Sequence, residues 1–371
     1  MHIGIDARLL ERKMTGMGRY LSSIVKFISE YDSRNKYFLF SFKKLKDFEK
    51  ANILSVPTAK RRILPQKLFS PIWLNFVLPN YLRKYKIDLF FSPVLVPNIW
   101  TKCKKILVVA DVLTKIDRNY FSFIFRWYVN MMKHKAIRKS AVIITISQNS
   151  KKDIMKFYKI PKQKIKVVYL AAEKRFCPRE LRVDQKDYLR NRYNLPSKFI
   201  LYVGVIEFRK NIRGVIEIAD LIESETNIPI LLFGRVGHQG KTYLKEIRKR
   251  KNIQYKGFIE DSDLPYIYNL ATIFLFPSFY EGFGLPPLEA MQSGTPVLTS
   301  NSSSLPEVVG KGGIMHDPKN YGGFAEDIIK LLGDDNFYQE MREKGILQAK
   351  RFSWQKTAQE VIDTFMVLCK K

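Results

Sequence analysis

Two glutamates, Glu281 and Glu289, stand eight positions apart in PSFYEGFGLPPLEAMQSGTPV, residues 277–297. A carboxylate at a strand end accepts hydrogen bonds from vicinal hydroxyls, which is how acidic side chains recognise ribose and other sugars. The amide hydrogens of Gly282, Phe283, Gly284 and Leu285 can meet further hydroxyls. A second stretch, GVIEFRKN at 204–211, offers Arg209 and Lys210, a planar fork and a point charge suited to a diphosphate. A third, TGMGRY, places Gly16 and Gly18 where the backbone can approach a ligand and a helix N-terminus favours phosphate. It is not a dinucleotide fingerprint, because Leu21 stands where the third glycine would fall. Each motif also has a plainer reading: a loop-to-helix turn, solvated surface charge, or a dipole contact for Glu289 near a helix start.

The elements that must position these residues follow from local pattern. ATIFLFPS is a continuous apolar run closed by Pro-Ser, as in a buried strand of a parallel sheet. EGFG is a turn, Pro286 or Pro287 suits the first helical position, Gly294 ends the helix, and TPVLTS is the next strand. Further strand-like runs are HIGIDA, YFLFSF, LFFSPV, KILVVAD and AVIITIS, then FILYVG, IPILLFG and IQYKGF. Helical patterns such as GRYLSSIVKFISEY and NIRGVIEIADLIES separate them. The alternation predicts two doubly wound α/β domains, 1–180 and 181–371, parted by the aperiodic polar stretch from about Glu173 to Pro196.

The 371 residues, 46% of them apolar, suffice for two cores. Charge is unevenly placed: residues 1–200 hold 43 Lys and Arg against 14 Asp and Glu, and residues 201–371 hold 21 of each. The whole net charge of +29 therefore sits in the first half, which is expected to face something anionic. In SPIWLNFVLPNYLRKYK (70–86) and NYFSFIFRWYVNMMKHKAIRKS (119–140), apolar and basic residues alternate at roughly helical spacing. They read either as interfacial helices or as ordinary core-facing helices with a solvated basic side. Nucleic acid is not expected, since no recognised module is present and the second half is neutral. Cys103, Cys177 and Cys369 are expected to be reduced thiols of a cytoplasmic protein, and no signal layout or membrane span is read. DSD at 261–263 reads as a helix N-cap, the four histidines stand alone, and no metal site is expected.

In this order the pieces resemble the family-4 retaining glycosyltransferases of the GT-B fold. The marks are IDARLLERKMTGMGRY, ITISQNSKKDIMKFYKIPKQKIKVVYLAAEKRFCP, LYVGVIEFRKN, the long block GFIEDSDLPYIYNLATIFLFPSFYEGFGLPPLEAMQSGTPVLTSNSSSLPEVVG and FSWQKTA. The resemblance implies two Rossmann-like domains facing each other across a cleft, an acceptor-binding first domain and a nucleotide-sugar-binding second one, with the last helix returning to the first. It implies catalytic work for Glu281, Asp111, Arg209 and Lys210. Glu281 contacts the donor sugar, Glu289 the ribose, Arg209 and Lys210 the diphosphate, and the Gly16–Gly18 loop the phosphate and acceptor side. It further implies a GDP-, UDP- or dTDP-linked donor, a lipid-linked or cell-surface glycan acceptor, no cofactor or metal, and retention without a dedicated protein base. The basic first domain then suggests an anionic membrane surface as partner and a place on the inner face of the cytoplasmic membrane. Relatives usually have His-Asp where this chain has Ala110-Asp111, and often Arg at Val205. The missing histidine suggests a donor without a 6-hydroxyl, such as a deoxyhexose, or a degenerate protein that binds nucleotide-sugar or a partner enzyme without turnover.

Overall fold

The computed structural model of the chain describes residues 1–11, 16–58, 72–93, 103–116 and 123–369. It divides into two units, Met1–Leu170 with Trp354–Lys371, and Ala171–Ser353. The first boundary thus falls ten residues before the expected one at 180/181. The reason lies in side-chain contacts of residues 171–180. Phe176 meets the Tyr268 ring edge-on, Gln292 donates to the carbonyls of Glu173 and Phe176, and Arg175 pairs with Asp261. The final helix, Trp354–Cys369, groups with the first unit, where it packs on helix Gly16–Tyr31.

All the runs read as strands form strands, and three further segments join them. In the first unit these are β1 (His2–Asp6), β2 (Lys36–Ser41), β3 (Ile53–Pro57), β4 (Leu89–Ser92), β5 (Lys104–Val108), β6 (Val142–Thr145) and β7 (Ile165–Val167). They form one parallel sheet in the order β3-β2-β1-β4-β5-β6-β7. The second unit holds β8 (Ile200–Val203), β9 (Ile230–Phe233), β10 (Ile253–Gly257), β11 (Ile273–Phe276), β12 (Val297–Ser300) and β13 (Ile314–His316). Their parallel order is β10-β9-β8-β11-β12-β13. Both are doubly wound, Rossmann-like sheets, and two such units in one chain make this a GT-B fold. In each sheet the winding reverses beside its first strand, β1 against β4 and β8 against β11. The reversal opens a crevice at the carboxyl ends of those strands, the place where ligands bind in open α/β sheets.

Helix Ile212–Ile222 shows why the flanking helices settle where they do. Its Ile212, Val215, Ile216, Ala219 and Ile222 recur at three and four residue intervals and are all buried. Burial of each large aliphatic side chain contributes about 1.5–3 kcal/mol. Asn211 starts the helix, its side-chain oxygen accepting from the Gly214 amide at 3.0 Å. Of the segment 70–86, residues 72–86 are described, and its apolar side is mostly core: Trp73, Leu74, Leu78 and Leu82 pack with Phe38, Phe40 and Phe90. The interfacial reading keeps Phe76, which is 71% exposed. In the segment 119–140, residues 119–122 lie outside the described residues, as do Arg12 to Thr15 of the glycine loop. Helix Phe123–Lys139 buries Val129, Met132, Ala136 and Ile137 and exposes Trp127. Among the described residues no helix is long and apolar enough to cross a membrane.

The approach of β8 to β9 at the crevice depends on one glycine. Gly234 has φ +142°, and a Cβ there would lie 1.9 Å from the Gly204 carbonyl oxygen. Gly234→Ala is therefore expected to lower stability by about 1–3 kcal/mol in urea unfolding. Gly322→Ala, with nothing within 4 Å of the added carbon, is the control and should stay within about 1 kcal/mol of the parent.

Candidate functional site

The carboxyl ends of β8 and β11 carry the residues with the chemistry. After β8 the chain makes a short 3-10 turn, Phe208–Lys210, and Asn211 then takes a left-handed conformation at φ 55°. This turn is stitched to the segment after β11. The Arg209 carbonyl accepts from the Phe279 amide at 3.0 Å, and Arg209 Nη1 donates to the Tyr280 carbonyl at 2.7 Å. Asn211 Nδ2 donates to the carbonyls of Pro277 at 2.9 Å and Pro318 at 2.7 Å, tying together the chain after β8, β11 and β13.

These ties bring three expected residues together. Lys210 Nζ lies 2.6 Å from Glu281 Oε1, and Arg209 Nη1 lies 3.4 Å from the same oxygen. Arg209 Nη2 reaches Glu207 Oε1 at 2.7 Å, and the Lys210 ammonium sits 4.6 Å from the Phe276 ring centroid. The Glu281 backbone is held by the serines after β12. Its amide donates to Ser303 Oγ at 2.8 Å, while Ser304 Oγ donates to the carbonyls of Glu281 at 2.9 Å and Phe283 at 2.7 Å. Ser300 and Ser302 both donate to the Ser278 carbonyl. Gly284, at φ +120°, leads into helix Leu285–Gln292, and Pro286 takes its second position. Gly294, at φ +80°, follows the end of that helix.

Glu289 stands apart from this cluster, on helix Leu285–Gln292. It is 5% exposed, and its Oε2 accepts from the Tyr268 hydroxyl at 3.2 Å. Gly16 and Gly18 open helix Gly16–Tyr31 in the first unit. Asp111, also in the first unit, follows β5. Its Oδ1 accepts from the Leu113 amide at 3.0 Å, and its carbonyl accepts from Lys133 Nζ at 2.7 Å. Lys133 is 2% exposed, and burial pushes its amine down to about 8 against the opposing pull of Asp111. Asp263 takes the N-cap position of helix Leu264–Leu270, as the DSD reading expects, but its carboxylate makes no capping bond and instead accepts from Tyr193 and pairs with Arg192.

Sequence reading passed over Glu207, Asn211 and the serines at 300–304. Glu207 is 2% exposed, and its Oε2 is buried without a hydrogen-bond partner among the described residues. A Cβ on Gly237 would lie 2.9 Å from that oxygen. The usable signals were a carboxylate two positions before Arg209 and a run of hydroxyls after a strand.

Electrostatically the cluster is two cations facing two carboxylates. Burial alone would push the Glu281 carboxyl up, but Lys210 and Arg209 beside it bring it below its ordinary value. For Lys210 the pull is opposite: burial takes the ammonium below its ordinary value although Glu281 beside it opposes this. A carboxylate facing two cations is the better determined partner, so Glu281 is ionised at neutral pH. Such a group adds stability above its unfolded-state pKa of about 4.3 and loses it as pH falls through the lower folded value. Glu281→Gln should thus cost about 3–5 kcal/mol at pH 7 in urea unfolding, since it strands buried cations. The gap from the parent should hold to about pH 5 and close below about pH 4. A gap equal at pH 7 and pH 3 would place its origin outside this ion pair.

Residues 185–348 match the family of glycosyl transferases group 1. Over 251 residues the chain is 36% identical to an O-antigen chain mannosyltransferase B of Escherichia coli, covering 65% of this chain and 64% of that protein. Over 256 residues it is 33% identical to a serotype-specific mannosyltransferase, WbdA, of the same species, covering 67% of this chain and 31% of that one. The chain thus spans under two thirds of the length of these curated relatives. The sucrose-phosphate synthase of Thermosynechococcus elongatus superposes with a TM-score of 0.77 at 18% identity, over 100% of this chain and 99% of that one, and shows the fold. The similarity to the glycosyl transferases group 1 thus covers residues 185–348, the stretch of the second unit that carries the cluster of Arg209, Lys210 and Glu281.

Proposed function

We propose that the chain is a retaining, metal-independent glycosyltransferase that moves a mannosyl group from a nucleotide-sugar to a lipid-linked or cell-surface glycan. The observation that carries this reading is the buried cluster of Arg209, Lys210 and Glu281 at the β8/β11 reversal. Cations at that crevice suit a diphosphate, and a carboxylate beside them suits sugar hydroxyls. The mannosyl assignment is supported by relatives named as mannosyltransferases at 36% and 33% identity.

In this mechanism Arg209 and Lys210 offset the negative charge that grows on the diphosphate as its bond to the anomeric carbon lengthens. Glu281 holds hydroxyls of the donor sugar, and Glu289 holds the ribose. The acceptor hydroxyl attacks the anomeric carbon from the face the diphosphate leaves, and the departing phosphate oxygen takes the hydroxyl proton. No protein base and no metal enter the sequence. Within the first unit, Gly16, Gly18 and Asp111 are assigned to the acceptor, and the unit's basic charge to an anionic membrane surface at the cytoplasmic face.

Ala110 favours a second reading of the donor, a deoxyhexosyl group such as rhamnosyl or fucosyl, because relatives usually carry histidine there. Ala110→His should then move donor preference toward sugars that keep the 6-hydroxyl, and an unchanged preference rejects the deoxyhexosyl reading. For the main proposal, GDP-mannose at about 100 times its dissociation constant should add about 2.7 kcal/mol of stability, read as a thermal shift. UDP- and dTDP-sugars should shift the protein less, and Glu289→Ala should abolish the shift. If no nucleotide-sugar shifts the parent protein at millimolar concentration, the transferase reading falls. A shift without turnover on any glycan acceptor would instead support the degenerate, binding-only alternative.

A further inference from the structure

A second concentration of charge lies in the first unit, on residues the transferase reading does not use. β7 is the terminal strand of the first sheet, and a groove of about 750 Å³ runs beside it. Lys151, Lys162 and Lys166 line the groove together with Gln163 and Ile165, and no lining residue carries a carboxylate. Two of the three amines are fixed at their tips. Lys151 Nζ donates to the Ile165 carbonyl at 2.7 Å, and Lys166 Nζ donates to the Glu360 carbonyl at 2.8 Å. Burial and the neighbouring Lys162 hold the Lys151 ammonium below its ordinary value.

Lysines beside a terminal strand have an ordinary explanation, since their charge discourages pairing with another strand. Guard lysines of that kind extend into water and stay disordered at their tips. Here two tips are turned back onto backbone carbonyls, so the ordering entropy that a ligand would otherwise have to overcome is already spent in folding. Each ammonium has three donors, and one bond to a carbonyl leaves capacity for an incoming acceptor. The carboxyl of Glu360, whose carbonyl anchors Lys166, is pushed up by burial against the pull of Lys356 and Lys166.

We infer that this groove binds a phosphate-bearing ligand, held between Lys151, Lys162 and Lys166. The ligand's phosphate relieves the mutual repulsion of the three ammoniums and accepts from the donors that the backbone leaves unused. A lipid headgroup and a free diphosphate share this chemistry, and the two sources are separable by experiment. The inference does not rest on the donor reading: it concerns other residues, in the other unit, and its test reads binding and not transfer.

The test uses the whole chain with two probes, inorganic pyrophosphate by calorimetry and sedimentation on vesicles of phosphatidylglycerol or of phosphatidylcholine. Lys162→Glu is the main variant, because Lys162 is exposed, and Lys162→Gln with Lys166→Gln is the second. Lys46→Glu, exposed and in the same unit, is the charge-matched control. Binding of at least one phosphate probe should weaken about tenfold in Lys162→Glu, with the control within twofold of the parent. Loss on pyrophosphate identifies a soluble anion as ligand, and loss on phosphatidylglycerol alone identifies a headgroup. If neither probe binds the parent, or if Lys46→Glu weakens binding as much as Lys162→Glu, the groove is not a phosphate site.

Discussion

The contact between Lys210 and Glu281, 2.6 Å and almost fully buried, is the constraint around which the second unit is arranged. A buried ammonium or carboxylate standing alone costs several kcal/mol, so neither residue is tolerable there without the other. They are 71 positions apart and meet because β8 and β11 are neighbours across the reversal of the sheet. Everything that fixes the two segments follows from that need: the Arg209 carbonyl bonded to Phe279, Asn211 spanning Pro277 and Pro318, and the serines under Glu281. The strand order supplies the proximity, and these local bonds supply the geometry.

The parts of this arrangement that depend on short-range pattern were legible in the sequence. Apolar runs such as ILLF and IFLF have no helical period and too few residues for a buried helix, so their strand identity needs no tertiary knowledge. The segments ILSVP, IKV and IMH of β3, β7 and β13 are short or broken by polar residues, and they become strands only because a neighbour offers an edge. Asn211 was illegible for the same reason: its partners are the carbonyls of Pro277 and Pro318, which local sequence cannot place beside it. Glu207 pairs with Arg209 two positions on, and only its burial was beyond local reading. Arg209, Lys210 and Glu281 stood out because each falls at a strand end, where side chains have no core to fill. The domain boundary was misplaced because residues 171–180 look like linker by composition and are tied to the second unit by side-chain bonds.

Excess positive charge in the first unit has a structural component as well as a functional one. With carboxylates scarce, several of its lysines turn to backbone carbonyls: Lys104 to Leu368, Lys133 to Asp111, Lys151 to Ile165, Lys164 to Arg138 and Lys166 to Glu360. Such a bond satisfies donors without neutralising the charge. The first unit therefore keeps its net field even where its lysines are ordered, and a long-range attraction to anions survives folding.

The cluster at the β8/β11 reversal has the opposite property. Arg209 and Lys210 face Glu207 and Glu281, so the four side chains sum to no net charge, and a diphosphate arriving there meets no free cation. If the cluster holds the donor proposed above, binding proceeds by exchange of partners. Sugar hydroxyls offered to Glu281 replace part of what its two cations supply, and the cations turn correspondingly toward phosphate. Glu207 Oε1, 2.7 Å from Arg209 Nη2, keeps the guanidinium anchored on one side while its other side is released. An exchange of this kind discriminates more than it attracts, because a ligand with phosphate but no sugar would take the cations and leave Glu281 buried without compensation. On the proposed reading, the same coupling would tie the diphosphate grip to the presence of the sugar being transferred, and so would keep the enzyme from holding its spent nucleotide.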